Sequence, residues 1–230
     1  MMHARTFAIC AVGIVCSTNA LIGQGVSHYR NFELGSTLAS VAALANVTSS
    51  DAKTIHQRPA VLQDLEWRPS HWISGSTGPS TDAVEQALFS FYNDQLFQIV
   101  VDYRHDRTEG MTAADLTEAI SAVYGTPLRR TSRPAGVASR VDIESGSPMA
   151  RWGDSELAVV LYQTSSYGAF RLVVTDTRLD DLARKAAAQA QRLDDQEAPQ
   201  RDIARLQKER DDGRVAAAKA RAANRSAFQP

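Results

Sequence analysis

Two stretches of this chain alternate apolar and polar positions in nearly the same way. Residues 97–104 read FQIVVDYR and residues 170–178 read FRLVVTDTR. Each has an aromatic, a long polar residue and three aliphatics, and each ends on an acid and an arginine. Short β-branched runs bounded by turn residues predict strands. Each run is the second arm of a predicted hairpin. ALFSFY (87–92) turns at Asn93-Asp94-Gln95 into LFQIVVDY (96–103), and LAVVLY (157–162) turns around 165–168 into AFRLVVTD (169–176). Ala83, Val84, Ala87, Leu88 and Phe91 also suit a helix. The second copy, with Val159-Val160, Val173-Val174 and Gly168, favours strands in both. Alternation then sends Phe97, Ile99, Val101 and Tyr103 to one face, and Gln98, Val100 and Asp102 to the other.

Ahead of each hairpin the spacing changes to that of a helix. Leu38, Val41, Leu44 and Ala45 recur at helical intervals within 32–47, as do Leu116, Ala119, Ile120 and Val123 within 108–125. Thr37 and Thr112 are candidate N-caps, and Gly125 followed by Pro127 is a stop signal. A tryptophan, Trp67 or Trp152, precedes each hairpin and reads as a core anchor. QRPAVLQDLEWRP (57–69) predicts a further strand ending at Trp67, and SSDAKTIH (49–56) a short helix capped by Ser50. SGSTGPST (74–81) and RRTSRPAGVASR (129–140) read as loops. The fold class expected is α+β: two tandem helix-then-antiparallel-sheet repeats of about 75 residues, followed by a charged C-terminal helix.

The predicted boundaries are a leader at 1–20, a first module at 21–107, a second at 108–178 and an Ala/Arg-rich tail at 179–230. Leu179, Leu182, Ala186, Ala190 and Leu193 form a narrow helical stripe, Pro199 interrupts it, and Ile203 and Leu206 restart a weaker one. The expectation is a solvated helix fraying into disorder, or a short docking or self-association helix within 179–197.

The leader changes the chemistry available. Met1 to Arg5 carry one Arg and no acid, Phe7 to Cys16 are unbroken apolar or small residues, and Thr18-Asn19-Ala20 suits a signal peptidase. The apolar run is about half the roughly 20 residues a spanning helix needs. Export to the periplasm or medium is expected, with an uncleaved N-terminal anchor as the alternative. Val15 before Cys16 and Ile9 before Cys10 argue against lipidation. Cys10 and Cys16 are the only cysteines. Cleavage would leave no thiol for disulfides, metal thiolates or a cysteine nucleophile.

The layout GSTLASVAAL and GMTAADLTEAISAVYG, before FYNDQLFQIVVDY and LYQTSSYGAFRLVVTD, resembles the β-lactamase inhibitory protein architecture and the single-copy SmpA/BamE-type assembly lipoproteins. The resemblance spans about residues 30–178 and rests on layout. It implies a fold and a style of work, binding another protein on a sheet face. It does not imply β-lactamase inhibition, because the inhibitor's disulfides and the lipoproteins' acylated Cys have no counterpart here.

Candidate chemistry is sparse. The formal charge of −1 argues against a nucleic-acid binder. There is no G-x-S-x-G elbow, Walker loop or H-E-x-x-H, and no cofactor motif. His28, His56, His71 and His105 follow no local metal spacing. DYRHDR (102–107) reads as a charged inter-repeat turn, with a His/Asp acid–base pair using His105 or His71 as the alternative. Tyrosines and tryptophans beside the hairpins are the better binding candidates, because they offer large rigid contact area with one hydrogen bond. The residues singled out are Trp72, Tyr92, Tyr103, Tyr162 and Tyr167, with the arginine-rich loop of Arg129, Arg130 and Arg133. The expectation is a non-enzymatic module of the cell envelope that engages a protein partner through a sheet face. A small hydrolase or an oligomeric scaffold built on the C-terminal helix are the alternatives.

Overall fold

Threonine caps begin both helices that cover the sheet. In the computed structural model, which describes residues 26–69, 82–128, 146–164 and 169–227, α1 spans Leu38–Ala45 and α3 spans Ala113–Tyr124. The Thr37 hydroxyl accepts the Ser40 amide, satisfying one donor the helix leaves open. Thr112 and Asp115 cap each other reciprocally: the Thr112 hydroxyl accepts the Asp115 amide at 3.3 Å, and the Asp115 carboxylate accepts the Thr112 amide at 2.7 Å. Asn46 in the left-handed region ends α1, and Gly125, at φ 84°, ends α3.

The strands form one antiparallel sheet. They are β3 (Lys53–His56), β4 (Leu62–Trp67), β5 (Val84–Tyr92), β6 (Gln95–Tyr103), β7 (Ser147–Gly153), β8 (Leu157–Gln163) and β9 (Phe170–Asp176), in the order β3-β4-β5-β6-β9-β8-β7. A two-stranded ribbon, β1 (His28–Tyr29) and β2 (Phe32–Glu33), and a short helix α2 (His105–Thr108) complete the body. A long helix, α4, runs from Thr177 to Ala227. The fold is therefore mixed α+β: a seven-stranded sheet, a two-stranded ribbon and a long C-terminal helix. The two stretches quoted at the outset are β6 and β9, and they pair with each other at the centre of the sheet, Val100 opposite Val173.

One sheet face carries the main core. Leu65, Phe89, Phe91, Leu96, Ile99, Val101, Val159, Leu161, Leu172 and Val174 pack under Leu38, Val41 and Ala45 of α1 and Leu116 and Ile120 of α3. Trp152 is fully buried there, and its indole donates to the Ser121 hydroxyl at 3.2 Å. Trp67 lies half-buried, edge-on to Phe32 with ring centroids 5.4 Å apart.

Four local readings change. The segment 49–56 is a 3₁₀ turn, Ser49–Asp51, capped from Thr48 and followed by β3, because Lys53, Thr54 and His56 pair with β4 rather than coiling. The polar stretch around Trp152 is itself a strand, β7; its alternation is masked by Pro148, Arg151 and Gly153. A bulge opposite Ser90-Phe91 adds a residue to β6. Leu96 consequently faces the main core and Phe97 turns to the opposite face, away from Ile99, Val101 and Tyr103. Pro199 lies inside α4 without ending it. The turn before it is held by Arg58, which pairs with Glu197 and with Asp194 at 3.8 Å, and by Arg201, which donates to the Asp194 carbonyl at 2.8 Å.

The two tryptophans are expected to differ in energetic weight. Trp152→Ala should cost about 3–5 kcal/mol, the range for truncating a large buried aromatic, and the half-buried Trp67→Ala distinctly less. Urea midpoints at unchanged slope measure both. A larger loss at Trp67 would contradict the core described.

Candidate functional site

The second sheet face, crossed by the start of α4, holds two of the binding candidates, Tyr92 and Tyr162. Asp176 accepts the Leu179 amide at 2.8 Å and so caps α4 as the chain leaves β9. From there Leu179 and Ala183 bury against Leu62 and Phe97, with Tyr92 and Ala187 packed alongside. Ala186 and Ala190 are buried further along the same stripe. Beside α4, Val100, Tyr162 and Val173 form a small buried cluster flanked by Leu88 and Val160. Several polar groups on this face are paired. Asp102 accepts two bonds from Arg171, at 2.5 and 3.0 Å, and one from Gln86 at 3.0 Å. Ser90 donates to Asp64 at 2.7 Å, and Gln98 to Thr175 at 3.3 Å.

The expected site residues are thus dispersed. Tyr92 is half-covered by α4, and Tyr162 is 4% exposed, within the sheet-face cluster. Tyr103 packs at the end of the main core, on the other side of the sheet. Trp72, Tyr167, Arg129, Arg130 and Arg133 lie outside the described residues. The described tyrosines do not form one exposed aromatic face. Of the stripe expected within 179–197, Leu179, Ala186 and Ala190 are buried and Leu182 is exposed, with Ala183 taking its place against Leu62 and Phe97 of the chain's own sheet.

The acid–base alternative rests on His105 and a neighbouring aspartate. His105 opens α2 and is exposed. Asp106 is held by Arg104 at 2.7 and 2.9 Å, and that bond keeps its carboxyl below the ordinary range. Asp102 is engaged by Arg171 and Gln86. His71 lies outside the described residues. Among the described residues no group of three or more His, Cys, Asp or Glu side chains is placed to hold a metal.

A feature that sequence reading missed is the tyrosine cluster at one end of the core. Tyr29 shares a hydrogen bond with Tyr103, and the Tyr124 hydroxyl donates to the His28 carbonyl at 2.9 Å. Arg30 lies over the Tyr29 ring and makes a two-pronged pair with Asp82 at 2.6 and 2.8 Å. Burial raises the ionisation point of all three phenols, Tyr103 most emphatically, and the Arg30 bond lowers that of Asp82. The cluster ties the β1–β2 ribbon and α3 to the end of β6. The three tyrosines are 21 to 95 residues apart, so no local signal announces it.

The most exposed structure is the far part of α4. Residues 198–225 are exposed throughout, including Ile203 (56%), Leu206 (48%) and Val215 (70%). At 1.5 Å per residue the segment from 198 to 227 extends about 45 Å. Ion pairs along it join Asp202 to Arg205, Arg205 to Glu209, Lys208 to Asp212 and Asp211 to Arg214, each three or four residues apart. Exposed pairs of this kind contribute about 0.3–0.5 kcal/mol each. No helix among the described residues is long and apolar enough to cross a membrane.

No family model, curated protein or solved structure matches this chain.

The tyrosine cluster predicts an alkaline limit. A phenol whose folded ionisation point is raised contributes stability in full below the unfolded value of about 10, and loses it as pH rises toward the folded value. Absorbance at 295 nm should therefore show Tyr29, Tyr103 and Tyr124 titrating only with unfolding, whereas all six tyrosines titrate together in guanidinium. Titration of all six while the far-ultraviolet circular dichroism is still native would contradict the cluster.

Proposed function

We propose that this protein is an exported, non-enzymatic binding module that works as a body with an arm. The body is two helix-then-sheet units, and the arm, the far part of α4, engages a protein partner in the cell envelope. The arm carries the reading: an exposed helix of about 45 Å that leaves the body after the Arg58–Glu197 contact. One sheet face is occupied by α1 and α3, and the other is crossed by the start of α4. The expected sheet-face contact therefore moves to the surface the fold leaves open.

The duplication is supported by the central strands. Residues 73 apart correspond between FQIVVDYR and FRLVVTDTR, and Val100 pairs with Val173, its own counterpart. Ile99 faces Val174 as Val101 faces Leu172. The order β4-β5-β6 followed by β9-β8-β7 places corresponding strands symmetrically about that pair. Export is supported by the N-terminal 20 residues alone, which lie outside the described part.

Ending the chain after Glu197 should leave the body's thermal unfolding unchanged, because the residues removed make no burial with it. Crosslinked co-purification from the envelope of the source organism should then lose the partners that the full chain captures. The same partners at the same yield from the truncated chain would sink the arm as the binding element.

A further inference from the structure

We infer that the basic tip of α4, from Arg210 to Arg225, docks on an anionic lipid surface. The inference goes beyond the reading of the arm as a protein-binding element and rests on the same exposed helix. Arg210, Arg214, Arg221 and Arg225 fall within a sector of about 60° around the helix and spread over about 22 Å of its length. The last three stand around a floor of Ala217, Ala218 and Ala222, leaving a shallow cleft of about 530 Å³. Guanidinium groups above small side chains let phosphate oxygens approach closely and be held by paired N–H donors.

The charge of this face is largely uncommitted. Arg214 pairs with Asp211 at 3.4 Å, and both side chains are exposed. Among the described residues no carboxylate pairs with Arg210, Lys219, Arg221 or Arg225. Residues 213–230 hold four bases and no acid. The whole chain divides in the same sense: residues 21–197 carry 22 acids and 16 bases, and residues 198–230 carry four acids and eight bases. Such an asymmetry directs the tip toward an anionic surface and the acidic body away from it. The tip also needs no partner to stay helical. Seven of the fifteen residues from Gly213 to Ala227 are alanine, the strongest helix former.

The composition of the face selects among anionic partners. Protein interfaces centre on a large aromatic or aliphatic anchor, or on arginines desolvated around one. From Gly213 to Arg225 the one large aliphatic is Val215, about 110° around the helix from the centre of the arginine face. A layer of lipid headgroups asks for no such anchor. It is planar, it presents phosphates at any register, and a helix lying on it is held by charge. The export expected from residues 1–20 would put the tip beside such layers and away from nucleic acid.

Vesicle sedimentation of the full chain tests this, with phosphatidylcholine alone against an equal mixture of phosphatidylcholine and phosphatidylglycerol. The chain should sediment preferentially with the mixture, and added salt should release the excess. The leader is the same in every variant, so differences between variants report the tip. Each basic residue near an anionic leaflet raises partitioning about fivefold, so Arg214→Gln/Arg221→Gln/Arg225→Gln should lower it on the order of 100-fold. Arg214→Lys/Arg221→Lys/Arg225→Lys should retain the binding, because the layer reads charge. Circular dichroism of the Gln variant checks that the arm stays helical. Equal partitioning of the chain and its Gln variant, or of the chain between the two vesicle types, would overturn the inference. So would tighter binding of soluble polyglutamate than of the mixed vesicles at equal anion concentration, which would assign the tip to an acidic protein. If lipid binding fails while truncation after Glu197 still abolishes partner capture, the arm reading stands alone. If lipid binding holds and capture survives the truncation, that reading falls and this inference stands.

Discussion

The pairing of β6 with β9 is the interaction on which the rest of the structure depends. Without it the chain would hold two small sheets, β3-β4-β5-β6 and β9-β8-β7, each covered by a single helix. Small sheets with one short helix bury little of their surface. Joined at Val100 and Val173, they form one seven-stranded sheet whose core residues run without a break from Leu65 to Trp152. The Asp102–Arg171 pair crosses the same junction on the opposite face. It is half-buried, so its contribution exceeds that of a surface pair only to the extent that water is excluded.

That junction also sets the direction of the arm. β9 ends at Asp176, whose carboxylate caps α4, so the helix inherits its position from the strand that joins the two halves. Leu179, Ala183 and Ala187 then pack with Leu62 and Phe97 and fix the start of the helix by burial. Phe97 is available for this only because the β6 bulge turns it away from Ile99 and Val101. A single extra residue in one strand thus supplies the anchor for the helix that leaves the body.

Much of the body was legible because its signals are local. Thr37, Thr112 and Gly125 cap or end helices where their chemistry requires, and Val159-Val160 and Val173-Val174 mark strands. The rest depended on non-local packing. The β7 strand hides its alternation behind Pro148, Arg151 and Gly153, and its place is set by β8 and by Trp152 reaching Ser121. Phe97 follows the bulge and not the alternation. Asp102, read as leaving the sheet in a charged turn, is held inside it by Arg171, a partner 69 residues away. Among the binding candidates, aromatic content alone did not separate Tyr162, which the sheet buries, from a contact residue.

The tail shows the limit of pattern reading most clearly. Its two stripes have the same residue types and similar spacing, and the sequence does not say which one the body uses. The body buries Leu179, Ala183, Ala186 and Ala190, whereas Leu182 of the expected stripe is exposed. Pro199 separates that stripe from the next without breaking the helix, and the change of face across it is what leaves Ile203 and Leu206 pointing at water. A helix polar on most faces is supported by ion pairs along its own surface, here Asp202–Arg205, Arg205–Glu209, Lys208–Asp212 and Asp211–Arg214, and so extends from the body without burying a face on it.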